Sequence, residues 1–329
     1  MVLSRCGLIG YGSWATALCG VLQNNGVHVF WHVPNHAILD GLLTEGRNIK
    51  YISDLLLDGS LMTPVADIDV VVRNCDVILV AVPSAYLSGV FSTLHESLAD
   101  KFVVSATKGI IPDAGLRTTE YLNRFCNVPY ENLGVLSGPS HAEEVAHEEF
   151  TCLTLACNDI ARSQEIGRMF ENDYISIVHS GDVCGIEFSG ILKNIYAVAV
   201  GIADGLGYRD NSKAMLVSAC ARELSRFINA ACPCDRNAMD VVYLGDLLVT
   251  CYSTLSRNHM LGASIGGGMT VSEALDSMVM VAEGYTASTS FHAISTSMNV
   301  EMPISDFVFS VLHSGQDPDL GMKALFRTF

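Results

Sequence analysis

The first half of the chain alternates short apolar runs of β type with stretches at helical spacing. Leu3–Ile9 predicts a strand, the residues through Leu22 a helix, and Val27–Trp31 a second strand. Asp76–Val82, Phe102–Ala106, Gly134–Leu136, Thr151–Ala156 and Tyr174–Val178 predict further strands. Short strands separated by helical patterns are the mark of parallel βαβ units. Pro83-Ser84, Lys108-Gly109 and Ser137-Gly-Pro-Ser140 supply turns between them. After about Gly181 the strand pattern fades and long helical periodicities take over, at Ile186–Asp204, Ser212–Ala230, Thr270–Met280 and Glu283–Ser297. The expectation is an α/β domain over residues 1–181 followed by an all-helical domain over residues 182–329, with no internal repeat and no low-complexity linker.

One polar residue breaks the pattern where it matters most. Phe188, Ile191, Leu192, Ile195, Ala199 and Ile202 recur at helical spacing, and Val198 and Val200 widen the apolar face until the helix is hydrophobic nearly all round. Such a helix belongs in a core. Lys193 lies within it, and an ammonium there is costly unless something pairs with it or uses it. The alternative is a lysine that carries its head to the surface along its own stem.

Composition narrows the partners. At 329 residues the chain has room for two domains. A net charge of −16 repels nucleic acid and anionic membrane surfaces, so an anionic ligand must be held by a few local cations. There are only six lysines: Lys50, Lys101, Lys108, Lys193, Lys213 and Lys323. Eleven cysteines show no zinc-type or framework spacing, and the closest pair is Cys232-Pro-Cys234. They read as reduced, mostly core thiols of a cytosolic protein, with redox chemistry at Cys232 and Cys234 a lesser alternative. No targeting segment is expected ahead of the first strand. Glu187, Lys193, Asn194 and Asp204 interrupt the apolar helix well short of a membrane span, so no membrane insertion is expected. The ten histidines are not clustered, and no metal is assigned.

Gly10-Tyr-Gly12-Ser13-Trp14-Ala15 fits G-x-G-x-x-G/A directly after the first strand and at the start of a helix. In that setting Gly10 makes the tight turn, Gly12 admits a pyrophosphate, and Ala15 allows close helix–strand packing. This is a Rossmann-like dinucleotide-binding signature; the plainer alternative is an ordinary glycine-rich turn. The acidic residue that would read a ribose 2′-hydroxyl after the second strand is missing. The strand ends Phe30-Trp31-His32-Val33-Pro34 instead, which leaves NAD against NADP open.

With these motifs in place, the chain resembles the bacterial-type NAD(P)-dependent glycerol-3-phosphate dehydrogenases over nearly its whole length. The match runs in order through Gly10–Leu18, Val82-Pro83-Ser84, Ala106-Thr-Lys-Gly-Ile110 and Leu136-Ser-Gly-Pro-Ser-His-Ala142. It continues through Leu192-Lys-Asn194, Gly201-Ile-Ala-Asp-Gly205, Leu244-Gly-Asp-Leu247, Ser256-Arg-Asn258, Glu283-Gly284 and Glu301-Met-Pro-Ile304. The resemblance implies hydride exchange between NAD(P)H and carbon 2 of dihydroxyacetone phosphate or glycerol 3-phosphate, a supply of glycerol 3-phosphate for phospholipid synthesis, and a cytoplasmic homodimer. Lys193 matches the catalytic lysine, with Lys108 and Asp246 beside it in the reaction. Gly138, Ser140, Asn194, Thr250, Ser256, Arg257 and Asn258 match substrate positions, as do Lys108, Lys193 and Asp246. Gly10, Gly12, Ser13, Trp14, Ala15, His32, Ala142 and Glu283 match cofactor positions, together with Lys108 and Arg257. Bland roles stand beside these: a core amide for Asn194, a helix cap for Asp246, a packing aromatic for Trp14.

Departures from the pattern bear on detail. Ala15 replaces the usual third glycine, an arginine common after the second strand is absent, and Tyr243 stands where a small residue commonly precedes Leu-Gly-Asp. The glycine-dense Leu261–Gly268 segment reads either as a lid or as a flexible turn. Two rival functions share the motifs: a related dehydrogenase of another hydroxy acid or sugar acid, and a nicotinamide-binding sensor without catalysis. Ser256-Arg-Asn258 disfavours the first, and the two lysines disfavour the second.

Overall fold

The computed structural model describes residues 4–278 and 281–329. The start of the predicted first strand at Leu3, and the end of the predicted Thr270–Met280 helix at Val279 and Met280, lie outside those residues. By contacts the chain divides into two units, 1–107 with 116–183, and 108–115 with 184–329.

The first unit is built on an eight-stranded sheet. Its strands are β1 (Arg5–Ile9), β2 (His28–His32), β3 (Met62–Val65), β4 (Val77–Val80) and β5 (Phe102–Ser105). Two-residue strands β6 (Ile110–Ile111) and β7 (Leu116–Arg117) stand outside this sheet, which continues with β8 (Leu133–Ser137), β9 (Thr151–Cys157) and β10 (Ile175–Ser180). The order is β10-β9-β8-β5-β4-β1-β2-β3. All neighbouring pairs are parallel except β8 with β9. β4 and β5 are buried along their whole length, as strands covered on both faces must be. The chain leaves β1 for β2 on one side, and β4 lies on the other, so β1 stands at the point where the strand order reverses. Ligands of such sheets bind outside the carboxyl ends of the strands at that reversal.

Each predicted strand has its counterpart, displaced by a residue or two at the ends. β3 has no predicted counterpart. It is short and contains Pro64, which a sheet tolerates because β3 is an edge strand paired only with β2.

Apart from the two-residue β6, which its 108–115 segment carries, the second unit is helical: no strand follows β10 among the described residues. Its centre is the Val183–Gly205 helix, buried without a break from Gly185 to Ala203. This helix is long and apolar enough to cross a membrane, but 89% of its most apolar window is buried inside the protein. The Arg257–Gly266 helix crosses it at very close range. A Cβ on Gly201 would lie 2.1 Å from the His259 carbonyl oxygen, and one on Gly262 would lie 2.1 Å from that of Val198. Gly205 and Gly266 repeat the arrangement one turn on, against Ala263 and Ile202. Residues 257–266 are therefore a packed helix whose glycines let two backbones touch, and the lid reading of Leu261–Gly268 is corrected.

The cysteines also depart from expectation. Cys184, near the start of the Val183–Gly205 helix, is joined by a disulfide to Cys232, at the end of the Asp210–Ala231 helix, with Cα atoms 6.0 Å apart. Cys6, Cys19, Cys75, Cys157, Cys220 and Cys251 are buried thiols, as core cysteines should be.

Candidate active site

In the first unit, the register sets Ile9 of β1 opposite His32 of β2 and Val80 of β4. The chain then turns at Gly10, whose φ is +115° and whose missing Cβ would stand 2.4 Å from the Ala81 carbonyl oxygen. No other residue fits there without strain. A Cβ on Gly12 would meet nothing within 4 Å, so the backbone at this turn can be approached closely. Gly12 caps the Ser13–Asn24 helix without a side-chain hydrogen bond, and no acidic residue occupies the first turn. A dinucleotide's pyrophosphate fits these features, since a helix start offers aligned N–H groups and a favourable dipole.

Two side chains that the sequence did not single out hold this turn. The Trp31 indole donates to the Gly10 carbonyl at 2.6 Å. Asn48, fully buried, donates to the Tyr11 carbonyl at 3.0 Å and to Thr16 Oγ1 at 2.8 Å. Trp31 was legible as the residue beside His32. Asn48 lies far along the chain, where no periodicity or motif marks it.

Trp14 and Ala142 pack on the same core cluster, and Ala142 begins the short Ala142–Ala146 helix. Gly138 has φ +148°, with its absent Cβ 2.7 Å from the Cys152 carbonyl, and Ser140 Oγ donates back to its carbonyl at 3.0 Å. His32 is buried, and burial pushes its imidazole below the ordinary histidine range. It therefore offers no standing cation to a 2′-phosphate near neutrality.

The second unit brings together the residues predicted to do chemistry. A π-helical turn over Val241–Gly245 delivers Asp246 to the interior at the head of the Asp246–Tyr252 helix. Such turns recur at functional sites. Asp246 is completely buried. Lys193 Nζ donates to its Oδ1, and Lys108 Nζ lies 3.6 Å from its Oδ2. Lys108 belongs to this unit because residues 108–115 do, and Ile110 and Ile111 anchor that segment in complete burial.

One carboxylate between two ammonium groups leaves a buried positive charge, which desolvation opposes. Burial pulls the Lys193 ammonium well below its ordinary value. The Lys108 charge adds to that pull, and Asp246 opposes it. Such shifts mark groups poised for proton transfer.

Polar neighbours complete the cluster. Thr250 Oγ1 donates to the Asp246 carbonyl at 2.6 Å, which leaves the hydroxyl oxygen only an acceptor role toward any further group. Asn194 Nδ2 donates to the Lys108 carbonyl at 3.1 Å, and Asn258 Nδ2 donates to Asn194 Oδ1 at 3.0 Å. Gly284, next to Glu283, donates its N–H to Asn258 Oδ1 at 2.8 Å. Ser256 caps the Arg257–Gly266 helix by accepting from the His259 N–H, which sets the exposed Arg257 at the helix start. A guanidinium beside aligned N–H groups suits a phosphate. No cluster of three or more His, Cys, Asp or Glu able to hold a metal occurs among the described residues.

A glycine turn at the strand reversal of a parallel sheet, and a buried lysine–aspartate pair in a helical unit, define a dinucleotide-dependent dehydrogenase. Residues 5–163 match the family model of the NAD-dependent glycerol-3-phosphate dehydrogenase N-terminus, and residues 182–323 match that of its C-terminus. The glycerol-3-phosphate dehydrogenase (NAD(P)+) of Staphylococcus carnosus is 35% identical over 325 residues, covering 98% of each chain. That of Oceanobacillus iheyensis is 34% identical over 319 residues, covering 96% of this chain and 92% of its own. The crystal structure of glycerol-3-phosphate dehydrogenase from Coxiella burnetii superimposes with a TM-score of 0.91 at 27% identity, covering 99% of both chains. The chain belongs to the NAD-dependent glycerol-3-phosphate dehydrogenase family.

Proposed function

We propose that this protein interconverts dihydroxyacetone phosphate and sn-glycerol 3-phosphate with NAD(P)H and supplies glycerol 3-phosphate for phospholipid synthesis. The observation that carries the reading is the buried Lys193–Asp246 pair with Lys108 beside it. The bound nicotinamide cofactor supplies or takes up the hydride at carbon 2.

The chain's own residues manage the proton and the phosphate. In the direction of reduction, the Lys193 ammonium gives a proton to the substrate's carbonyl oxygen. In oxidation, the amine takes it from the hydroxyl. Asp246 holds and orients Lys193, while burial, aided by Lys108, lowers its proton affinity toward the neutral range where acid–base catalysis is efficient. Arg257, Ser256 and Asn258 hold the phosphate. Asn194 and Thr250 line the reacting end, and Gly138 and Ser140 complete the substrate's contacts. Gly10, Gly12, Ser13, Trp14, Ala15, His32, Ala142 and Glu283 are assigned to the cofactor, as the family resemblance also assigns Lys108 and Arg257. The family resemblance adds a cytoplasmic homodimer to this reading.

The test is loss of absorbance at 340 nm when the enzyme meets dihydroxyacetone phosphate with NADH and, separately, with NADPH. Rapid loss is expected with the wild type, and the ratio of rates assigns the cofactor. Lys193→Met should lower turnover by roughly 10²–10⁴-fold while leaving NADH binding intact. Oxidation only of unphosphorylated hydroxy acids, or near-normal turnover in the variant, would overturn the reading.

A further inference from the structure

The hydrogen bonds around Asn194 form a directed chain. The Gly284 N–H donates to Asn258 Oδ1, Asn258 Nδ2 to Asn194 Oδ1, and Asn194 Nδ2 to the Lys108 carbonyl, at 2.8, 3.0 and 3.1 Å. Each amide uses its oxygen on one side and its nitrogen on the other, so neither can flip without breaking two bonds. Both asparagines are buried, 5% and 7% exposed, where an unmade bond is costly. Gly284 is wedged into place: a Cβ there would stand 2.5 Å from the Asn194 carbonyl oxygen. The chain thus ties together the Glu283–Ser297 helix, the Arg257–Gly266 helix, the Val183–Gly205 helix and the 108–115 segment.

We propose that Asn194 and Asn258 are positioning residues, forming a spine that fixes the Lys108 backbone and so sets where its ammonium stands against Lys193 and Asp246. The proposal rests on the proton-transfer reading above. The groups that act on Lys193 come from separate elements: Asp246 from the Asp246–Tyr252 helix, and Lys108 from the 108–115 segment, while burial keeps the neighbouring Cys251 thiol neutral. Of these, Lys108 has the least covered side chain, 19% exposed, and its ammonium lies 3.6 Å from the carboxylate. Its position therefore depends most on how its backbone is held. Any contact that Asn194 makes with substrate is separate from this task.

The experiment follows the pH dependence of kcat for reduction in the wild type, Asn194→Ala, Asn258→Ala and the double variant. Freed from its anchor, Lys108 should move away from Lys193, and the basic limb of the profile should rise by roughly half to one pH unit. Loss of geometry should lower kcat about tenfold or more. Because the two asparagines act in one chain, the double variant should differ little from either single variant. A purely structural or substrate-contact role would lower Tm or raise KM and leave the limb in place. Amine-directed acylation gives a readout independent of turnover: Lys108 should label faster in both single variants than in the wild type. Unmoved limbs with unchanged Lys108 labelling, or additive effects in the double variant, would overturn the spine. Absence of wild-type turnover would overturn the functional reading instead, and the labelling rates would still judge the spine.

Discussion

A lysine on an apolar helix raised a question that burial alone could not answer, because a snorkelling lysine and a catalytic one carry the same sequence signal. The structure shows Lys193 5% exposed with its ammonium against the fully buried Asp246, which disfavours snorkelling and supports the proposed proton-transfer role. With proton affinity lowered by burial and by Lys108, Lys193 should give two opposing pH profiles. Reduction needs the ammonium, so its rate should fall as pH rises through the shifted value. Oxidation needs the amine, so its rate should rise over the same interval. Both limbs should lie well below the ordinary lysine range. Rate measurements in both directions across pH 5–10 check this, and limbs that move in the same sense would assign the titration to another group. The residues of this site were legible through short motifs, because chemistry fixes residue type and spacing together. Asn48, which helps to hold the glycine turn, was not. Its partners there, the Tyr11 carbonyl and the Thr16 hydroxyl, lie more than thirty residues away along the chain.

At the scale of elements, local periodicity recovered strands and long helices but misread packing between them. The glycines of Leu261–Gly268, read locally, signal only chain freedom. The relevant signal was their spacing: Gly201 with Gly205, and Gly262 with Gly266, place bare backbone on one face of each helix. Gly262→Ala should therefore destabilise the protein by about 3 kcal/mol, at the upper end of overpacking effects. By displacing Arg257 and Asn258 it should also lower kcat/KM roughly a hundredfold. Denaturant titration and steady-state kinetics on the variant test both, and near-normal stability would show that the helices can separate at little cost. The Cys184–Cys232 bond was invisible for a different reason, since connectivity cannot be deduced from cysteine spacing. It closes a segment with a sequence separation of 48, which in the chain-entropy account stabilises by roughly 4 kcal/mol. Reduction with a dithiol should lower Tm by on the order of 10 °C in the wild type and leave Cys232→Ser unmoved. Equal shifts in both proteins would place the effect elsewhere.

At the scale of the molecule, the strand–helix alternation gives no hint that residues 108–115 cluster with the helical unit. That short excursion puts Lys108 beside Asp246, and it is a tertiary event with no local pattern. The helical unit has a second buried charge that the reaction does not use. Glu223, 1% exposed, accepts hydrogen bonds from the N–H groups of Ile304 and Ser305 at 2.9 and 3.0 Å, and so ties the Asp210–Ala231 helix to the start of the Pro303–Ser314 helix. Burial raises its carboxyl from 4.5 to about 7, and the two N–H donors offset only part of that. A carboxyl whose folded value is raised binds its proton more tightly in the native state. Its contribution to stability is then complete below about 4.5 and is lost as pH rises through about 7. Over that window the loss is on the order of 3 kcal/mol. The buried histidines His32 and His259 and the half-buried His313 act in the opposite sense, because desolvation lowers their values and favours the native state as pH rises. The wild-type curve is the sum of both trends, so the informative quantity is the difference from Glu223→Gln. That variant loses one acceptor and starts less stable, but it has no proton to release. The gap in unfolding free energy between wild type and variant should therefore narrow as pH rises from 5 to 8, measured by denaturant titration. A gap that stays constant would mean that Glu223 is ionised throughout, with the helix start at Ile304 and Ser305 sufficient to hold its charge.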